Sequence, residues 1–222
     1  MADNVGICIY CGFNKPLTRE HIPPRNLFSS GEGVDYRFVL ICEECNKSYS
    51  KDEEFFRNWL ANVHYESSEE ATKLFDGPIT RAYTRKPLLA EYFFKNMSLI
   101  DVYDPVTKKT ETKTALRNNP EDKERIIRVV KKIVRGLASW HFGERINADM
   151  RVKARQIDDA WLERQKDEVQ KMPLLTVKRD VFEYRYGQIP DTQFSMWLMR
   201  FYNGTTFVGF IADEAFFNRN KK

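Results

Sequence analysis

Cys8-Ile9-Tyr10-Cys11 and Cys42-Glu43-Glu44-Cys45 enclose the segment Leu17-Thr18-Arg19-Glu20-His21-Ile22-Pro23-Pro24, and Asn46 follows the last cysteine. These four are the only cysteines in 222 residues, so every thiol belongs to one arrangement. Two C-x2-C pairs about thirty residues apart have the spacing of a tetrahedral four-thiolate zinc site. Such an ion ties the first loop to the second pair and replaces a core that about sixty residues would struggle to bury. Its four positions are filled by thiolates, so it is structural and cannot activate water.

Working outward, the expected first unit spans residues 1–64. Ile7 and Ile9 flank the first pair and Val39-Leu40-Ile41 enters the second, which predicts two short strands. Phe55, Phe56, Trp59, Leu60 and Val63 recur at helical spacing, so a helix is expected from Glu43 onward. The enclosed segment reads as loop, with a turn at Ser29-Ser30-Gly31-Glu32-Gly33.

Residues 65–222 read as a helical and antiparallel-sheet region. Residues 66–96 look helical with breaks at Gly77-Pro78 and Pro87, and Ser98 to Leu116 reads as a hairpin turning at Asp104-Pro105. Pro120 opens a helix to about Phe142, with Glu121, Asp122 and Glu124 suited to the positive end of its dipole. Its apolar stripe is Ile126, Val130, Ile133, Val134 and Leu137. A second helix is expected from Asp158 to Lys171. The last fifty residues alternate like strands, punctuated at Gly187, Asn203-Gly204 and Gly209, and Asn203-Gly204 is the strongest hairpin signal. The fold class is therefore α+β.

The chain is 42% hydrophobic and 14% aromatic, with no apolar run long enough for a membrane span. Met1-Ala2-Asp3-Asn4 has neither a basic nor an apolar signal region, and reduced thiols suit zinc, so a cytoplasmic location is expected. The net charge of +4 is unevenly spread: residues 1–64 carry seven basic against nine acidic side chains, whereas 120–222 carry twenty against fifteen. A polyanion would be held largely by the second half. Arg125, Arg128, Lys132 and Arg135 lie opposite the apolar stripe of the helix after Pro120, a solvated face or a phosphate-contacting one.

Glu20 and the Asn46 carbonyl are hard oxygen donors suited to Mg²⁺ or Mn²⁺, and His21 has a pKa range that suits a base near neutral pH. That combination is what metal-assisted phosphodiester hydrolysis needs. Taken together, Cys8-x2-Cys11, Glu20-His21-Ile22-Pro23-Pro24 and Cys42-x2-Cys45-Asn46 resemble the HNH endonucleases over roughly residues 5–60. The resemblance implies a zinc-bound ββα-metal module in which His21 is the general base and Glu20 and Asn46 hold the catalytic cation. It further implies products with a 5′ phosphate and a 3′ hydroxyl. The family's middle Asn or His has no evident counterpart before Cys42, and Asn26 is the nearest substitute. The expected partner is a nucleic acid, DNA above RNA, and a homodimer is compatible with the sequence. The alternative is a non-catalytic zinc module that binds nucleic acid or another protein. His64 and His141 read as residues packed at helix ends, and the aromatic run from Phe194 to Phe210 as sheet core.

Overall fold

The computed structural model describes residues 4–104, 108–143, 150–189, 192 and 194–219. Helices and antiparallel sheets are mixed, as expected. A three-stranded sheet comes first, built from β1 (Val5–Ile7), β2 (Asn14–Ile22) and β3 (Arg37–Cys42) in that order. Cys42 ends β3 and caps α1 (Glu43–Val63), whose first turn carries Glu43 and Glu44 at the positive end of its dipole.

The segment expected to be loop is thus a nine-residue strand. β2 pairs with β1 over residues 14–16 and with β3 over 17–22, so Pro16 faces β1 alone and its missing N–H leaves no gap in the β3 ladder. One face mixes Lys15, Arg19 and His21 with the core-packed Leu17, and on the other only Glu20 and Ile22 are buried, too irregular an alternation to read as a strand.

Next come α2 (Glu69–Leu74), a widened π turn at Phe75–Ile79 carrying Gly77-Pro78, α3 (Thr80–Arg85) and α4 (Pro87–Asn96). The ribbon of β4 (Met97–Asp104) and β5 (Lys109–Leu116) matches the expected hairpin, although Pro105 of its turn lies outside the described residues. α5 (Pro120–Phe142) starts at an Asn119/Asp122 capping box and buries its whole predicted stripe. β6 (Arg151–Ile157), unforeseen in the sequence, is an edge strand. It is followed by α6 (Asp159–Arg164) and α7 (Lys166–Lys171), one expected helix broken at Gln165. β6 joins β7 (Leu174–Lys178), β8 (Phe182–Gln188), β9 (Ser195–Phe201) and β10 (Thr205–Ala212) in an antiparallel sheet ordered β6-β10-β9-β8-β7, and α8 (Glu214–Arg219) closes the chain. Gly187 and Gly209 lie inside β8 and β10 and do not punctuate them.

One apolar cluster runs across the expected boundary at residue 64. Phe56 of α1 sits edge-on to Phe201 at 5.3 Å, and Trp59 lies 6.3 Å from Phe207. α5 touches α1, β3, β6 and β10. Its approach to β2 depends on Gly136, where a Cβ would fall 2.5 Å from Ile22 Cδ1. Each fully buried Val, Ile or Leu of α5 contributes about 1.5–3 kcal/mol to this packing. Among the described residues no helix is long and apolar enough to cross a membrane.

Candidate functional site

The cysteines come together as their spacing predicts. All four sulfurs lie within 4.8 Å of one another, and Cys11 Sγ and Cys42 Sγ are 3.8 Å apart. Four ligands about 2.3 Å from a tetrahedral centre are separated by about 3.8 Å, whereas a disulfide would need about 2.05 Å. The four cysteines can therefore hold a structural metal such as zinc. Burial pushes the Cys8 thiol up, but backbone N–H groups of Cys42, Cys11 and Tyr10 outweigh it and bring the thiol down to about 7. That favours a thiolate at Cys8, while burial and then the crowded Cys42 and Cys11 sulfurs push the Cys45 thiol the other way.

β2 carries Glu20 and His21 on opposite faces, because strand side chains alternate. His21 pairs across the sheet with Phe38 on the outer face. Its ring stands edge-on to Tyr36 at 4.9 Å and makes no hydrogen bond among the described residues. Burial, then the charges of Arg25 and Arg19, lower its pKa below the ordinary 6.5, so at neutral pH it is an uncharged base. Arg19 lies over the Phe38 ring at 4.8 Å, and Arg25 begins the short 3-10 turn Arg25–Leu27. Both guanidiniums are exposed, and neither has an ion pair or a hydrogen bond among the described residues. The sequence reading missed both. Once β2 is a strand, Arg19 and His21 share a face, which is the signal that would have found Arg19.

Glu20 points the other way, into the interface between sheet and helices, where it is only 7% exposed. Lys132 Nζ of α5 donates to Glu20 Oε1 at 2.8 Å and also to Glu53 of α1. The Lys132 side chain has no solvent exposure at all. Its ammonium faces the Tyr49 ring at 5.0 Å, and Tyr10 Oη donates to its backbone carbonyl. Burial raises the pKa of Glu53, an effect opposed by Lys132 and reinforced by Glu20 and Asp52.

A divalent cation held by Glu20 and Asn46 does not fit this arrangement. The Glu20 carboxylate is already met by an ammonium. Asn46 is half-buried on α1, two turns before Glu53, and its side chain shares no partner with Glu20. Asn26 gives no brace either, since its Oδ1 is buried without a hydrogen-bond partner.

The basic face of α5 also has a different use. Arg125 donates to Asp52 at 3.0 Å and to the Lys51 carbonyl; Arg128 reaches Asp52 and the Ser48 carbonyl. Arg135 donates to the Met150 carbonyl. The four residues do share a side of the helix, but Arg125, Arg128 and Lys132 turn it onto α1 and satisfy acids there. Beside Lys132 opens a cleft of about 600 Å³ bordered by Tyr10, Tyr49, Lys131 and Arg151. His64 and His141 sit at helix ends, bonded to Thr205 and Tyr184 respectively. No family model matches the sequence, and neither a curated protein nor a solved structure matches it.

Proposed function

We propose that the chain is an HNH-type endonuclease whose module is held by zinc and whose base is His21. One observation carries this reading: an uncharged, half-buried imidazole stands on an open sheet face within the field of two unpaired guanidiniums. A phosphodiester bound there would have its charge met by Arg19 and Arg25, and both would gain as charge develops on the phosphorane oxygens. His21 takes the proton of the attacking water as its oxygen bonds to phosphorus; the bond from phosphorus to the 3′ oxygen breaks with its electron pair on that oxygen, which takes a proton from solvent water to leave as the 3′ hydroxyl. No step in this scheme passes through a Glu20-bound cation.

The test is cleavage of plasmid and of a single-stranded oligonucleotide, with end mapping. His21→Ala should lower the rate by about 10²–10⁴-fold with zinc content and nucleic-acid affinity retained. Because the folded pKa of His21 lies below 6.5, the acid limb of the pH–rate profile should also fall below 6.5. Equal cleavage by wild type and His21→Ala would end the proposal. The engagement of Glu20 by Lys132 favours a second reading, a zinc module that binds nucleic acid without cutting it. Salt-dependent binding with no cleavage by zinc-loaded wild type would select that one.

A further inference from the structure

A charged cluster centred on the fully buried Lys132 joins three elements that are far apart in sequence. Glu20 comes from β2, Asp52 and Glu53 from α1, and Arg125, Arg128 and Lys132 from α5. Three acids meet three bases, so the cluster is electrically closed without any ion from solution. At its centre an ammonium has three N–H directions. Two carboxylates, from Glu20 and Glu53, and the face of Tyr49 surround Lys132 Nζ.

The HNH resemblance would have Glu20, together with Asn46, hold a divalent cation; here Glu20 shares an ammonium with Glu53 instead. We infer that the Lys132 ammonium is the resident cation of the Glu20–Glu53 pair, so that the wild-type protein takes up no Mg²⁺ or Mn²⁺ there. Two arguments support the exchange. An ammonium and a divalent cation both bridge paired carboxylates, and with Lys132, Arg125 and Arg128 set against Glu20, Glu53 and Asp52 a further cation would meet like charge with no acid left over. Displacing Lys132 would also strand a positive charge with zero exposure, at a cost that grows as the surroundings lose water. A lysine in this place fixes the spacing of β2, α1 and α5 at once. It is a covalently attached counter-ion that a chelator cannot remove.

The inference stands on binding and not on cleavage, so a failure of the His21 reading would leave it untouched. The probe is Mn²⁺, titrated by electron paramagnetic resonance and calorimetry into the zinc-loaded full chain. Wild type should show no site that depends on Glu20, and its thermal midpoint should not move with Mn²⁺. Lys132→Met removes the charge while keeping much of the apolar stem. It should create one Mn²⁺ site at least about 100-fold tighter than any in wild type. Adding Glu20→Gln should abolish that site. Two results would overturn the inference: a wild-type Mn²⁺ site lost in Glu20→Gln, or a folded Lys132→Met protein that gains none. If Lys132→Met does not fold, as judged by zinc content and near-UV circular dichroism, the wild-type and Glu20→Gln titrations decide alone.

Discussion

Acidifying the protein below pH 6.5 should weaken it through one side chain more than any other. His64 caps the end of α1, is 7% exposed, and hydrogen-bonds Thr205 Oγ1 through Nε2 at 2.7 Å and Ser67 Oγ through Nδ1 at 3.3 Å. Gly204 makes room for it, since a Cβ there would lie 2.3 Å from His64 Cε1. Burial lowers its pKa from 6.5 to about 4 in the folded protein. Above pH 6.5 the ring is neutral whether the chain is folded or not, and this stability is fully present. Between 6.5 and about 4 the unfolded chain binds a proton that the folded one refuses, so stability falls as pH falls. A tenfold difference in proton affinity between the two states is worth about 1.36 kcal/mol, so the loss totals about 3 kcal/mol once pH has passed below the folded value. His141, also lowered to about 4 by burial and then by Arg37, adds to the same slope, but it is only half-buried. The assay is urea unfolding from pH 7.5 to 4.5 on wild type and His64→Gln. The variant should start less stable and show a slope flatter by about 1 kcal/mol per pH unit. An unchanged slope, or a folded-state His64 resonance titrating near 6.5, would refute the reasoning.

Cys42→Ser should lose the bound metal and the near-UV signal of the first sixty residues, since the ion contributes folding free energy directly; elemental analysis of wild type showing no zinc would contradict this. Arg125→Gln with Arg128→Gln strands the carboxylate of Asp52, itself 9% exposed. The pair should cost about 1–2 kcal/mol in urea unfolding, limited because both guanidiniums touch water, and should leave the salt dependence of nucleic-acid binding unchanged. A flattened salt slope would return those arginines to phosphate contact. Gly136→Ala should destabilise despite a helix-propensity gain of about 1 kcal/mol, because its methyl enters Ile22, and overpacking costs about 1–3 kcal/mol. Combining it with Ile22→Ala should give a favourable coupling energy, and strict additivity would show that the contact is not tight.

The parts of this fold governed by local chemistry were legible. The thiol spacing gave the metal site, Pro120 and its acids gave the start of α5, and Asn203-Gly204 gave the hairpin between β9 and β10. Even there the detail moved. The left-handed residues of the turn are Tyr202 and Asn203, and Gly204 is small for the sake of the His64 ring. The parts governed by what lies opposite were not legible. β2 is a strand because β3 and β1 need a partner, and nothing in Asn14–Ile22 alternates strongly enough to announce it. Arg125, Arg128 and Lys132 look like a solvated or phosphate-binding stripe until the acids of α1 are placed against them. Asp52 and Glu53 lie on the same helix as Asn46, and only the packing of α5 shows which cations they meet. Glu20 and His21, adjacent in sequence, suggest one site, and the two-residue period of a strand parts them.

The helix α1 has one end in the thiol cluster and its middle in the core of the five-stranded sheet, through Phe56 and Trp59. It therefore works as a lever with two fulcrums, and neither end can be cut free to be studied alone. A fragment ending at residue 64 would keep all four sulfurs but carry Phe55, Phe56, Trp59 and Leu60 bare to water, with Glu20 and Glu53 stripped of their lysine. The reciprocal fragment would lose the aromatic rings that fill the space over Phe201 and Phe207. Loss of metal at one end should therefore loosen sheet packing at the other. Amide hydrogens in β9 and β10 should exchange faster when a chelator takes the ion.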